Sequence, residues 1–160
     1  MAINKKIIFI TVIILAVIVF AYFMYNKGDN KDNMKKRILL ETNYGEIEIE
    51  LYGTTPITSS NFENLAKSGI YDNTIFHRVI DGFMIQGGDP TGTGYGDPNI
   101  PEIQDEFPAG NTNVRGTIAM ANRGPDTGSS QFFINLIDNT FLDKKHPVFG
   151  KVVKGMDVVD

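Results

Sequence analysis

The sequence predicts a mainly β domain, a barrel or sandwich of short strands, carried behind one transmembrane helix. Three observations point there. "GEIEIEL" alternates strictly, with Ile47, Ile49 and Leu51 on one side and Glu46, Glu48 and Glu50 on the other, the period of a half-buried strand. From Thr74 onward, short β-type segments recur between glycine- and proline-containing turns, the spacing of a barrel or sandwich. Ahead of them, Ile7 to Tyr25 is nineteen residues without a charge.

The chain divides accordingly into a basic N-terminus (1–6), the apolar span (7–25), a polar linker (26–37) and a domain over 38–160. As a helix the span is about 28 Å long, close to the ~30 Å hydrocarbon core. Tyr22 and Tyr25 stand where an aromatic belt lies. A cleaved signal peptide fits less well, because the run exceeds a usual h-region and no clear A-x-A site comes after it. Lys5 and Lys6 precede the span, and Lys27, Lys31, Lys35, Lys36 and Arg37 come after it. Those five would hold the C-terminal side in the cytoplasm by the positive-inside rule. Asp29 and Asp32 interrupt that run, and a signal anchor with a basic N-terminus exports the polypeptide on its C-terminal side. The expectation is a single-pass membrane protein with an extracytoplasmic domain, bound to the bilayer through residues 7–25. The linker, nearly free of apolar residues, reads as a tether.

Within the domain, Ile38 to Tyr52 reads as a hairpin turned at "TNYG". "TTPITSSNFENLAKSG" reads as a helix: Thr55 caps it, Pro56 suits its first turn, Phe62, Leu65 and Ala66 form its apolar stripe, and Gly69 stops it. The further strands are Thr74–Ile80, Phe83–Gln86, Gly116–Ala121, Gln131–Asn135 and Val148–Val152. Between the second and third of these runs a long segment rich in glycine and proline, Gly87 to Asn113, and a loop of that length in a small domain is usually functional or ordered by its own contacts.

The composition excludes several chemistries. A net charge of −4 without a basic block excludes nucleic acid as a partner, and the absence of cysteine excludes disulfides and thiolate metal sites. "GTGYG", Gly92 to Gly96, lacks the lysine and the strand-to-helix setting of a phosphate cradle and reads as an ordinary flexible loop. His77 and His146 are the two histidines and form no close ligand pair, so no metal is expected and His77 reads as a structural residue of its strand. Ser129 and Ser130 show no nucleophile elbow. Asp143 and His146, three apart, are close enough for a local hydrogen bond. Arg78, in a strand beside "DGFMIQGG", either pairs with a carboxylate or points into a site.

Three segments decide between those roles. "FHRVIDGFMIQGGDPTGTG", "MANRGPDTGSSQFFI" and "FLDKKHPVFGKV" together resemble the cyclophilin family of peptidyl-prolyl isomerases, in the family's order and approximate spacing, over Ile38 to Asp160. The resemblance implies a closed antiparallel β-barrel of eight strands capped by two helices, with the active groove on the outside. It implies Arg78 as the catalytic arginine. It implies substrate-binding roles for Phe83, Met84, Gln86, Ala121, Asn122, Gln131, Phe133, Phe141, Leu142 and His146. Of these, Phe83, Met84, Phe133 and Leu142 would take the proline ring, while Gln86 and Asn122 would hold the substrate backbone. The substrates would be proline-containing polypeptides, no cofactor or metal is needed, and the protein is expected to be a monomer. A proline-peptide binding module is the rival reading, and it leaves Arg78 without a purpose.

Three departures from the family pattern stand out. Phe141 replaces a tryptophan common there, so activity is expected to persist while cyclosporin binds with weakened affinity. Arg123 stands where small residues are common, beside a secondary pocket, and is expected to favour acidic residues upstream of the proline. The chain reaches Asp160 where relatives continue into a further helix and a closing strand that pairs with the first, so an open barrel edge is expected.

Overall fold

A computed structural model describes residues 36–160. The span at 7–25 and nearly all of the linker lie outside the described residues, among which no helix is long and apolar enough to cross a membrane.

Seven strands form one antiparallel sheet: β1 (Arg37–Thr42), β2 (Gly45–Leu51), β3 (Arg78–Ile80), β4 (Met84–Gly87), β5 (Thr117–Met120), β6 (Phe132–Asn135) and β7 (Val148–Lys154). Their order across the sheet is β1-β2-β7-β5-β6-β4-β3. The hairpin β1–β2 turns through Asn43 and Tyr44, with Thr42 paired to Gly45. A side chain at Gly45 would meet Val158 at 2.9 Å, and its φ of 137° suits glycine alone. β1 starts one residue ahead of the expected domain boundary, and Lys36 pairs with Glu63 at 2.7 Å.

The sheet curls but does not close. Among the described residues β1 and β3 are its outer strands, and none bridges them: the sheet has the expected open edge, in place of the closed eight-stranded barrel that the resemblance implies. The strand expected over Thr74–Ile80 is shorter, Arg78–Ile80. Thr74 Oγ1 donates to the Tyr71 carbonyl and Phe76 packs edge-on against Phe132, which keeps that approach out of the ladder.

One face of the sheet gathers the main core: Ile47, Ile49, Ile85, Ile118, Ile134 and Phe149 are all buried. Helix α1 (Pro56–Lys67) lays Phe62, fully buried, among Tyr71, Phe132 and Phe149, with ring centroids 5.1–5.2 Å away. Thr55 stands at the helix start without capping it, since its hydroxyl faces Ser59 Oγ and the Tyr52 carbonyl instead. The cap comes from 48 residues away: Glu106 accepts from the Thr58 N–H and hydroxyl at 2.8 Å, and from the Ile57 N–H. An anion on those first N–H groups also complements the helix dipole. A four-residue helix, α2 (Met156–Val159), packs Val159 into the same core.

Candidate active site

The site is set by strand register. Arg78 on β3 is the cross-strand partner of Gln86 on β4, which faces Phe133 on β6; Phe133 faces Ala119 on β5, and Ala119 faces Val148 on β7. Directly opposed residues share a face, so one row runs over the side of the sheet away from the main core. Met84, Ala119, Phe133 and Val148 make a second, smaller apolar cluster there, with Phe83, Ala121, Leu142 and Tyr52 packed against it. Phe83, Met84, Phe133 and Leu142, distant from one another in the chain, therefore meet in one patch.

Arg78 is exposed at the end of this row. Its Nη1 donates to Gln86 Oε1 at 3.4 Å, and its Cζ lies 5.8 Å from the centre of the Phe83 ring. Phe83 is stacked in turn on Phe141, centroids 6.0 Å apart and 17° from parallel. Phe141 is 63% exposed, on a single 3₁₀ turn (Thr140–Leu142). Among the described residues no carboxylate pairs with Arg78. It presents a full charge beside an apolar surface.

His146 closes the other side, its ring edge-on to Phe133 at 5.4 Å. Its Nδ1 lies 3.1 Å from the Met120 carbonyl, which only accepts, so the neutral ring carries its proton there. Burial lowers its pKa below the ordinary 6.5, outweighing the Met120 carbonyl, which favours the charged form. The local bond expected between Asp143 and His146 does not form. Asp143 instead accepts from the Asn113 N–H and the Thr112 hydroxyl, while the His146 ring is engaged at the Met120 carbonyl.

Next to the apolar patch lies a cleft of about 660 Å³, walled by Gln86, Ala121, Asn122 and Gln131 on one side and the glycine loop on the other. Asn122 Nδ2 donates to the Lys145 carbonyl at 2.7 Å, tying this wall to the turn that carries His146. Arg123, at the cleft mouth, pairs with Glu102 at 3.0 Å.

The family description that matches residues 37–160 is cyclophilin type peptidyl-prolyl cis-trans isomerase/CLD. The chain belongs to the cyclophilins. It is 48% identical over 130 residues to the peptidyl-prolyl cis-trans isomerase-like 1 of Gibberella zeae, covering 79% of this chain and 80% of that one. A peptidyl-prolyl cis-trans isomerase of Acinetobacter baylyi is 50% identical over 128 residues, 76% of this chain and 68% of that one. Among solved structures, a Cryptosporidium parvum cyclophilin type isomerase, crystallised in the presence of the dipeptide Ala-Pro, superposes with a TM-score of 0.73 at 39% identity, covering 77% of this chain and 82% of that one. The protein is a peptidyl-prolyl cis-trans isomerase.

In this cyclophilin the glycine loop, expected to be an ordinary flexible loop, is tied down. Asp89 is wholly buried and accepts hydrogen bonds from Thr91, Thr93, Gly94 and Gly96. The signal was present in "DPTGTGYG": an aspartate succeeded by hydroxyl and glycine residues whose N–H groups can fold back on it. His77 lies just before β3, its ring against Gly94, and its two ring nitrogens have no partner among the described residues. Asn139, which sequence reasoning passed over, is buried beneath the patch and donates to the Phe83 carbonyl and to Asn135 Oδ1.

Proposed function

We propose that Arg78 catalyses rotation about the X–Pro bond without a covalent intermediate. The observation that carries this reading is a guanidinium without a carboxylate partner among the described residues, held by Gln86 and Phe83 at the rim of an apolar patch. The barrier to rotation, about 18–20 kcal/mol, is the loss of C–N resonance. In the twisted amide the nitrogen lone pair is localised and accepts a hydrogen bond, whereas in the planar ground state it is a poor acceptor. A donor aimed at that nitrogen binds the transition state more tightly than the substrate, which is what catalysis requires. A charge-assisted hydrogen bond is worth about 1.5–3 kcal/mol, or one to two decades of rate. Positioning supplies the rest: Phe83, Met84, Phe133 and Leu142 clamp the proline ring while Gln86 and Asn122 hold the flanking backbone. Ala121, Gln131, Phe141 and His146 complete the groove.

The substrates on this reading are proline-containing polypeptides near a membrane, whose folding the enzyme assists. The uncharged run at 7–25 supports a single-pass anchor with the domain outside the cytoplasm. Phe141, without an indole N–H, supports weakened binding of cyclosporin; nanomolar inhibition would refute that part. Arg123 supports a preference for acidic residues upstream of the proline, although Glu102 competes for it.

The test is cis–trans exchange of an Ala-Pro peptide, measured by NMR with the full chain in detergent and an Arg78→Ala variant. Loss of one to two decades of catalysis in a folded variant supports the reading. A folded variant that binds and catalyses like the parent would leave the protein's isomerase activity without Arg78, and the mechanism would fall.

A further inference from the structure

Arg78 does not end its hydrogen-bond chain at Gln86. Gln86 Nε2 donates to Gln131 Oε1 at 2.9 Å, and Gln131 Nε2 donates to the carbonyl of Gly94 at 3.1 Å. The two ends of this chain are chemically fixed. A guanidinium only donates and a backbone carbonyl only accepts. Between them two amides can be oriented in one way alone if all three bonds are to form. Each must turn its NH₂ toward Gly94 and its oxygen toward Arg78. If the Gly94 carbonyl moved away, Gln131 would be free to flip, and Gln86 would then turn its own NH₂ on the arginine.

Asp89 holds the backbone on both sides of the Gly94 carbonyl, and the peptide unit that carries this carbonyl donates its own N–H, that of Tyr95, to Thr93 Oγ1 at 3.2 Å. One carboxylate oxygen accepts from Thr91 N–H at 2.9 Å and Thr91 Oγ1 at 2.8 Å. The other accepts from Gly94 N–H at 2.6 Å, Gly96 N–H at 3.1 Å and Thr93 Oγ1 at 3.4 Å. The two hydroxyls also share a bond of 2.7 Å, so one of them donates to the other, and four donors at a time converge on a side chain with no exposed surface. Backbone conformation favours glycine at Gly94 and Gly96, whose φ angles are 85° and 82°. A Cβ on Gly94 would lie 3.4 Å from the His77 ring; a Cβ on Gly96 would lie 3.3 Å from Gln131 Nε2.

We infer that Asp89 is a positioning residue for the isomerase reaction. By pinning the glycine loop it fixes the polarity of the Gln131–Gln86 amide relay, and so the aim of Arg78. This rests on the reading of Arg78 as the catalytic group.

The decisive variant is Asp89→Asn, which keeps the shape of the side chain but replaces one acceptor oxygen with a donor. That NH₂ must face either the Thr91 N–H or the N–H pair of Gly94 and Gly96. The full chain in detergent is assayed for exchange of an Ala-Pro peptide, with kcat and KM separated. The Arg78 Nε–H and the Gln86 and Gln131 side-chain amides are monitored by NMR. The expected result is a folded protein with kcat lower by about ten- to a hundredfold, the scale of a misaimed group. KM should change little and the three side-chain signals should move. A lower melting temperature with kcat and the Arg78 signal unchanged overturns the inference. Should Asp89→Asn not fold, Gly94→Ala displaces the same carbonyl and leaves the carboxylate in place: a reduced kcat supports the inference, and an unchanged one overturns it. Arg78→Ala, measured alongside, separates the two ideas. If it keeps the full rate, the catalytic reading itself fails. If it loses the rate while Asp89→Asn and Gly94→Ala keep theirs, only the relay fails.

Discussion

Replacing Arg78 by lysine keeps the charge and tests whether a charge is sufficient. The guanidinium has separate N–H groups for separate tasks: Nη1 is engaged at Gln86 Oε1, and the plane is seated over Phe83 at 5.8 Å. On the reading proposed above, the remaining donors are left for the substrate. An ammonium on a flexible stem has no such fork and loses both restraints. The exposed cation–π contact is worth about 0.5–1 kcal/mol. The hydrogen bond to Gln86, long at 3.4 Å and exposed, falls below the charge-assisted range and adds about 0.5–1.5 kcal/mol. Together about 1–2.5 kcal/mol of orientation is lost, which corresponds to roughly one to two decades in kcat/KM. Arg78→Lys should therefore fall nearly as far as Arg78→Ala. NMR exchange of a proline peptide under matched folding conditions gives the ratio directly. A lysine variant within about twofold of the parent would show that the field alone suffices and that the seating on Gln86 and Phe83 is incidental.

Other perturbations read out the scaffold. Phe62→Ala empties the centre of a four-ring cluster and should cost about 3–5 kcal/mol in urea unfolding, with the site rows intact in any molecule that stays folded. Glu106→Ala removes the cap of α1 and should cost about 0.5–2 kcal/mol, measured the same way, whereas Thr55→Val should not act through the cap. Burial works to raise the Asp89 and Asp143 carboxyls, but the hydrogen bonds from Thr91, Gly96 and Gly94 on one, and from Asn113 and Thr112 on the other, hold both below the ordinary 3.8. The unfolded chain then takes up protons first as pH falls. Stability from these groups should be complete above 3.8 and be lost below it, and melting temperatures across an acid series would show it. For His146, lowered below 6.5, the neutral ring is the folded form, so its contribution is complete above 6.5 and declines as pH drops through the lower folded value.

Local chemistry was legible in the sequence, and distant side-chain partners were not. The β1–β2 hairpin declared itself because alternation at Glu46–Leu51 is a property of neighbouring residues, and α1 did so because Pro56 and Gly69 bound it on either side. Arg78, Phe83 and Phe133 were found through motif resemblance; periodicity supplied only the strand. The true cap of α1 was invisible, since nothing near Pro56 announces Glu106. Thr55 looked right by spacing, yet its hydroxyl was claimed by Ser59 and Tyr52. The glycine loop was misjudged for a related reason. Its order comes from one carboxylate drawing in N–H groups as far as seven positions on, and composition alone reads glycine as freedom. The open edge beside β1 was expected from the family pattern alone, because closure is a property of the whole sheet and leaves no mark on the alternation within a single strand.

The row from Arg78 to Val148 also constrains how this chain can vary over time. Alternate residues of β4 serve opposite purposes, Gln86 on the groove and Ile85 in the main core. One inserted residue in that strand would exchange them, placing an amide in oil and an isoleucine beside the arginine. The same holds for Phe133 and Ile134 on β6. Length changes in a lineage of such proteins should therefore collect in the 97–113 segment, while β4, β5 and β6 vary by substitution alone.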